Sequence, residues 1–196
     1  MFRILCVTNR KLCKGDFLIR IRELAKLGIP VILREKDLTE SEYHALARQV
    51  LQENPELILH SFVYPAQELK IEKIHLPMNL FRDLKNRDCF LQIGVSVHSV
   101  QEAQEAEALH ADYLIAGHIF QTDCKKNLPP RGLQFVEEIC QSVKIPVYAI
   151  GGISSENIRY VQDAGAFGAC IMSGFMQCES ITKFLEDFLC ESDPKN

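Results

Sequence analysis

The sequence predicts a single-domain α/β fold, a closed (β/α)8 barrel of the TIM-barrel type. Eight short apolar runs occur along the 196 residues, and most are separated by amphipathic segments with helical spacing. Such alternation is typical of a parallel α/β fold, and eight units favour a closed barrel over an open sheet. Glycines and polar side chains follow several of the runs, where barrel enzymes build their active sites. An open flavodoxin-like sheet is the structural alternative.

The strands are predicted from runs of β-branched residues and leucine that carry few charges, as expected of strands buried on both faces. In chain order they span residues 3–8, 31–34, 57–60, 73–76, 91–96, 112–116, 147–150 and 169–172. Only about a dozen residues separate the third strand from the fourth, so the helix in that crossover must be short.

Capping residues and glycine define the predicted helix ends. The helical pattern after the first strand stops before Gly28, and glycine is common just after the last turn of a helix. Ser99 and Glu102 have the spacing of a capping box at the start of the helix after strand five. Ser154 and Ser155 are predicted to cap the helix after strand seven.

Composition predicts the domain organisation and excludes one class of partner. With 47% hydrophobic and 24% charged residues, the chain suits one globular domain with a sizeable core. Residues 1–190 are expected to form that domain, and residues 191–196 a polar C-terminal tail. The net charge of -4, from 22 basic and 26 acidic residues, lacks the basic excess of a nucleic-acid-binding protein. No nucleic-acid partner is therefore expected.

The cysteines and the apolar runs predict the compartment. The eight cysteines include no C-x-x-C pair, which argues against a zinc site. No apolar run approaches the ~18 residues of a membrane helix, and the N-terminal residues do not match a signal peptide. We therefore expect a cytoplasmic protein with free thiols, no metal and no membrane partner.

Small residues after the last two strands predict a phosphate site. Gly151 and Gly152 follow strand seven, and Ser173 and Gly174 follow strand eight. Glycine lets backbone N–H groups approach an anion closely, and the loops after barrel strands seven and eight often bind phosphate. The alternative is that these residues only form turns. Their position after two adjacent strands favours phosphate binding.

Two cations at the end of strand two are candidates for substrate binding. Side chains alternate along a strand, which puts Ile32, Arg34 and Lys36 on one side and Glu35 on the other. If Ile32 faces the barrel interior, Arg34 and Lys36 reach the mouth of the site. The alternative is a solvated charged turn.

His118 is the candidate acid–base residue because it follows strand six directly and precedes a polar loop. An imidazole can accept and donate a proton in one turnover near neutral pH. The alternative is a hydrogen-bonded structural histidine. His60, also at a strand end, is a weaker candidate for the site, whereas His75 and His98 are interpreted as partly buried residues near strand ends.

The polar loop after strand six offers further substrate contacts. Thr122 and Lys125 are predicted to contact substrate oxygens. Cys124 lies beside lysines, which favour a thiolate, but no base and orienting group accompany it in the sequence, so a nucleophilic role is not expected.

Several of these segments together resemble the thiamine phosphate synthase/TenI superfamily over nearly the whole chain. The resemblance implies the same (β/α)8 barrel that the strand count predicts. The matching segments are LREKD at 33–37, HLP at 75–77, GVSVHS at 94–99, ADY at 111–113, GHIFQTDCKK at 117–126, IPVYAIGGI at 145–153 and MSG at 172–174.

Departures from the synthase pattern favour the TenI-like branch, which includes thiazole tautomerases. Synthases of this superfamily carry Asn-Asp after strand three, where this chain has His60 and Ser61. They carry an acidic residue after strand four, where residues 77–80 are PMNL. A polar residue is replaced by Ile32, and the usual Gly-Pro after strand six is Gly-His here. Both carboxylates expected to hold Mg²⁺ are therefore missing.

The resemblance implies a thiazole tautomerase, an isomerase that aromatises a carboxythiazole phosphate in thiamine biosynthesis. His118 would move the proton, and no cofactor would be required. The backbones of Gly151, Gly152, Ser173 and Gly174 would hold the phosphate. The implied substrate-binding residues are Arg34, Lys36, His60, Ser96, Thr122 and Lys125.

Two alternatives and the oligomeric state stay open at this point. The chain is alternatively a thiamine phosphate synthase, a transferase that needs Mg²⁺, or a non-catalytic TenI-like regulatory protein that keeps the ligand site. Members of the superfamily tend towards dimers, so a homodimer is one expectation.

Overall fold

The protein is a closed barrel of eight parallel strands, each paired with its neighbours in sequence and the last paired with the first. The computed structural model describes residues 2–122, 125 and 128–190. For residues 189 and 190 it describes the backbone only. The predicted barrel is confirmed, and the open flavodoxin-like alternative is wrong. The strands are β1 (Arg3–Val7), β2 (Val31–Leu33), β3 (Ile58–His60), β4 (Lys73–Pro77), β5 (Gln92–Val97), β6 (Tyr113–Gly117), β7 (Val147–Ile150) and β8 (Gly168–Ile171).

Helices connect consecutive strands around the outside of the barrel. The crossover between β3 and β4 contains a helix of 6 residues, as the short spacing predicts. Two helices follow β8, and the second packs on the first. The helices are α1 (Phe17–Lys26), α2 (Glu40–Glu53), α3 (Val63–Glu68), α4 (Met78–Asp83), α5 (Val100–Ala108), α6 (Gly132–Ser142), α7 (Ile158–Asp163), α8 (Ser173–Gln177) and α9 (Ile181–Cys190).

Two predicted helix caps differ in detail from the structure. Ser99 caps α5 as predicted, since its side chain accepts from the Glu102 N–H at 3.0 Å. The Glu102 carboxylate, however, accepts from the backbone N–H of His98 at 2.6 Å and so completes no capping box on Ser99. Ser154 does not cap α7, because its own N–H donates to Asn157 Oδ1 at 2.9 Å and Asn157 takes the N-cap position.

The barrel interior is filled by side chains from alternate positions of the strands. Leu5, Ile32, Ile115 and Cys170 are among the buried residues of this inner cluster. The opposite faces of the strands pack against the helices in a larger outer core. This two-sided burial explains why the strands carry few charges.

Two tyrosine rings enter the interior where glycines on neighbouring strands leave room. A Cβ atom at Gly94 would overlap the ring of Tyr113, and one at Gly168 would overlap the ring of Tyr148. The two rings meet edge to face with centroids 5.6 Å apart. Tyr113 is thereby held in one position beneath the carboxyl ends of the strands.

Within the described ranges, no helix has the length and apolar character needed to cross a bilayer. The predicted tail, residues 191–196, lies outside the described part of the chain.

Candidate active site

A cavity of about 480 Å³ lies at the carboxyl-terminal end of the barrel. Its walls come from strand ends and the loops that follow them, because parallel strands bring all their carboxyl ends to one face. Most of the residues singled out from the sequence line it together: Arg34, Lys36, His60, Ser96, His118, Thr122, Lys125, Gly151, Gly152 and Ser173.

Gly174 is the predicted site residue that does not line this cavity. A Cβ atom there would overlap the Phe184 ring of α9. Close packing of α8 on α9 therefore accounts for a glycine at this position. Its role in phosphate binding stays a prediction.

The glycine pair after β7 forms a tight cradle against the loop after β6. Gly151 and Gly152 have φ of 104° and 66°, in the left-handed region that favours glycine. A Cβ atom at Gly151 would overlap the Cβ of His118, and one at Gly152 would overlap the carbonyl of Gln121. The Phe120 N–H donates to the Gly151 carbonyl at 3.0 Å. Only glycine lets the two loops approach this closely.

Gly151→Ala is expected to weaken binding of inorganic phosphate about tenfold, since the added Cβ strains the left-handed backbone and displaces His118. Titration calorimetry with phosphate measures the change. Gly28→Ala is the matched control, because Gly28 has φ of 67° and no atom near its Cβ position. Phosphate affinity that is equal in the two variants would show that the cradle does not bind the anion.

Three cations face the cavity from the side of β2 and the loop after β6. Arg34, Lys36 and Lys125 all line it. Burial and the neighbouring charges of Arg34 and Lys125 lower the pKa of Lys36. Burial and the charges of Arg131 and Arg34 likewise lower the pKa of Lys125. Such mutual influence means that these cations form one positive region, suited to an anionic group of a ligand.

Glu35 holds the opposite side of this strand end in place, as strand alternation predicts. Its buried carboxylate accepts from Thr8 Oγ1 at 2.6 Å and from the Arg10 guanidinium at 3.0 Å. Thr8 Oγ1 in turn accepts from the Arg34 N–H at 2.9 Å. The Glu35 charge is thus used inside the protein, and it fixes the backbone from which Arg34 reaches the cavity.

His118 is buried at the start of the loop after β6, with 6% of its surface exposed. Its carbonyl accepts from the Arg131 N–H at 3.0 Å, and the N–H of Ile119 donates to Ile150 O at 3.0 Å. Its Nε2 lies 3.3 Å from the carbonyl oxygen of Leu128. A carbonyl only accepts hydrogen bonds, so Nε2 carries the proton, and in the neutral ring Nδ1 is left with its lone pair. Nδ1 is therefore the basic atom of this side chain.

Two further histidines, His75 and His98, line the same cavity. The sequence predicts them only as partly buried residues near strand ends. Strand alternation is the sequence signal that identifies both histidines. His75 lies two residues before Pro77 on β4, and His98 lies two residues after Ser96. All four residues line the cavity.

The buried histidines His60 and His75 are held uncharged. Burial, with the charges of Arg34 and Lys36, lowers the pKa of His60 to about 3. Burial, then His60 and Arg34, lowers the pKa of His75 well below its usual value. The His60 Nδ1 lies 2.7 Å from Ser61 Oγ. Neutral imidazoles offer hydrogen bonds at this wall but add no charge.

The donor set of the cavity does not fit a magnesium ion. None of the described residues that line it is Asp or Glu, and the described part of the chain contains no group of three or more His, Cys, Asp or Glu placed to hold a metal. Mg²⁺ prefers carboxylate and phosphate oxygens. At the carboxyl ends of β3 and β4 the chain has His60, Ser61 and Pro77 instead. Cys124 lies outside the described residues.

A family model and similar sequences place the chain in one family. A family model described as thiamine monophosphate synthase matches residues 4–175. The thiamine-phosphate synthase 2 of Streptococcus pneumoniae is 35% identical, with 95% of this chain and 93% of that protein covered. The thiamine-phosphate synthase of Syntrophomonas wolfei is 32% identical, covering 92% and 91%. A thiamine phosphate pyrophosphorylase structure from Pyrococcus furiosus superimposes with a TM-score of 0.80 at 29% identity, covering 97% and 95%.

Proposed function

Since the chain belongs to the thiamine monophosphate synthase family, we propose that it binds a phosphorylated thiazole in the barrel cavity and acts on it as a thiazole tautomerase. Family membership makes it an enzyme of thiamine biosynthesis. The isomerase reaction is our proposal within that family. Its substrate would be a non-aromatic carboxythiazole phosphate, and its product the aromatic tautomer.

The donor set of the cavity carries this proposal. A pyrimidine diphosphate transferred with Mg²⁺ calls for carboxylates that bind the metal, and none lines the described wall. The wall instead offers the His118 side chain, cations and neutral histidines. This set suits a proton transfer on an anionic ligand better than a metal-assisted displacement of diphosphate.

The reaction needs one proton to leave and one to return. His118 Nδ1 removes the proton from the ring carbon that bears the carboxylate. The electron pair of that C–H bond shifts through the ring, the exocyclic double bond moves into the ring, and the exocyclic carbon takes a proton from the imidazolium. Atoms and charge balance, and aromatisation drives the step. A positioned acid–base group contributes about 10²–10⁴-fold to such a rate.

The remaining residues would hold the substrate during this transfer. Gly151, Gly152 and Ser173 line the cavity, and their backbone N–H groups would bind the phosphate, as the loops after barrel strands seven and eight often do. Arg34 and Lys36, on another wall, would bind the carboxylate, so that both anionic ends are fixed. Proton transfer then occurs between fixed partners.

Thiamine phosphate synthase activity is the second candidate, and the names of the relatives favour it over the tautomerase. Curated relatives that are 31% to 35% identical are named as synthases, one of them putatively. The cations Arg34 and Lys36 would also suit a diphosphate. The lack of Asp and Glu among the described residues that line the cavity argues against synthase activity. Both reactions must therefore be assayed.

The deciding experiment runs both assays on the same purified protein. We expect conversion of the non-aromatic carboxythiazole phosphate, followed by proton NMR, at a rate unchanged by EDTA. We expect no thiamine phosphate from the pyrimidine diphosphate and thiazole phosphate with Mg²⁺. Magnesium-dependent thiamine phosphate formation without tautomerisation would establish the synthase instead. Tight binding of the thiazole phosphate with neither turnover would indicate a non-catalytic protein.

A further inference from the structure

We propose that Tyr113 is a positioning residue: acting through the buried His75, its hydroxyl makes Ser96 a hydrogen-bond donor towards the ligand in the cavity. The part that concerns the ligand rests on the proposed function. The part that concerns the direction of the hydrogen bonds rests on the free protein alone.

The three side chains form a continuous chain across β6, β4 and β5. The Tyr113 hydroxyl lies 3.3 Å from His75 Nδ1. On the other side of the ring, His75 Nε2 lies 2.7 Å from Ser96 Oγ. Tyr113 and His75 are 3% and 1% exposed, whereas Ser96 lines the cavity. The hydrogen-bonded chain of these three side chains therefore runs from the closed interior of the barrel to the cavity.

The buried end fixes the direction of every hydrogen bond in the chain. A buried hydroxyl needs an acceptor for its proton, and within the described residues His75 Nδ1 is the partner found for Tyr113. Nδ1 therefore accepts. The neutral ring must then carry its proton on Nε2 and donate it to Ser96 Oγ. The Ser96 proton is left to point into the cavity.

The charge state of His75 supports this assignment. Burial, followed by the charges of His60 and Arg34, lowers the pKa of His75. The ring thus stays neutral and keeps a single ring proton over the ordinary pH range. The charged or titratable groups that bear on it are His60 of β3, Tyr113 of β6 and Arg34, which directly follows β2.

The expected ligand feature is an acceptor atom at the β5 wall. A carboxylate oxygen or the ring nitrogen of a thiazole has this chemistry. A donor that is fixed in advance discriminates against a ligand that presents a donor or an apolar group at the same place, because a buried polar group would be left unpaired.

Tyr113→Phe tests the chain with little disturbance of the fold. The ring still fills the space over Gly94 and still meets Tyr148. Tyr148→Phe is the matched control, since it also removes a tyrosine hydroxyl, from the ring next to Tyr113. In the described structure the Tyr148 hydroxyl makes no hydrogen bond to His75. Two readouts are needed: ¹⁵N NMR of the histidine rings in the free protein, and calorimetric titration with the aromatic carboxythiazole phosphate.

In the wild type and in Tyr148→Phe we expect His75 protonated on Nε2. In Tyr113→Phe the ring no longer has a donor at Nδ1, and we expect the tautomer with the proton on Nδ1 to appear. Affinity for the carboxythiazole phosphate should fall about tenfold. The fall should be absent when Tyr113→Phe is added to Ser96→Ala, because the two residues act in series.

An unchanged His75 tautomer in Tyr113→Phe would overturn the proposed direction of the chain. A changed tautomer with unchanged affinity would show that Ser96 does not donate to the ligand. If the wild type fails to bind the carboxythiazole phosphate at all, the proposed function and the ligand part of this inference fall together. The NMR result still tests the direction of the hydrogen bonds that join Tyr113, His75 and Ser96.

Discussion

Replacing His118 with alanine is expected to lower the rate of tautomerisation about 10²–10⁴-fold, the usual contribution of a positioned acid–base group. The barrel should remain folded, because the imidazole makes a single hydrogen bond, to the Leu128 carbonyl, in the described structure. The reason for the loss is that Nδ1, the basic atom, disappears with the ring. Proton NMR measures the rate, and circular dichroism checks the fold.

His98→Asn is the matched comparison for this experiment. His98 also lines the cavity, and its Nδ1 lies 3.1 Å from the Gly117 carbonyl. It therefore has the same kind of ring on the same wall, held by a hydrogen bond of the same type. We expect its loss to cost less than about tenfold, as for a contact without an acid–base role. A fully active His118→Ala enzyme, or a larger loss in His98→Asn, would remove His118 as the base.

Acidification from pH 7 to pH 5 is expected to lower the free energy of unfolding by about 4 kcal/mol through His60 and His75. Burial is the main cause that lowers the pKa of His60 from 6.5 to about 3 and the pKa of His75 in the same direction. In this pH window the unfolded chain protonates both rings and the folded protein neither. Because the unfolded state binds more protons, stability rises with pH and is lost as pH falls below 6.5.

Urea unfolding at intervals between pH 7 and pH 5 measures this slope. The window stays above the range in which carboxylates titrate, so histidines dominate it. His60→Asn should remove about half of the pH dependence, because one of the two buried rings is lost. A pH dependence that is equal in wild type and His60→Asn would show that His60 is protonated in the folded protein.

Local sequence pattern predicted the architecture closely. Apolar runs located the strands, and the count of eight predicted the closed barrel that the structure contains. The helix caps were less predictable, because Ser154 and Asn157 are both suitable N-cap residue types and only the three-dimensional turn shows that Asn157 takes the N-cap position.

Residues of the candidate site were predictable where their position at the end of a single strand was enough to place them in the cavity. Alternation placed Arg34 and Lys36 on the cavity side and Glu35 behind them, as the structure has it. Position after β6 was enough to bring His118 into the cavity. The same alternation indicates His75 and His98, because His75 shares a face with Pro77 of β4 and His98 follows Ser96 of β5 by two residues.

The sequence by itself determined which residues form strands, that side chains along each strand alternate between two faces, and that glycines and cations stand at the carboxyl ends. These properties follow from local periodicity, which the chain encodes within a few residues. Only the tertiary structure decided which side chains meet. Strand register placed Tyr113, His75 and Ser96 in contact, and loop packing placed Leu128 against His118 and Gly174 against Phe184. Hydrogen-bond direction depends on such contacts between distant parts of the chain, and no local pattern specifies them.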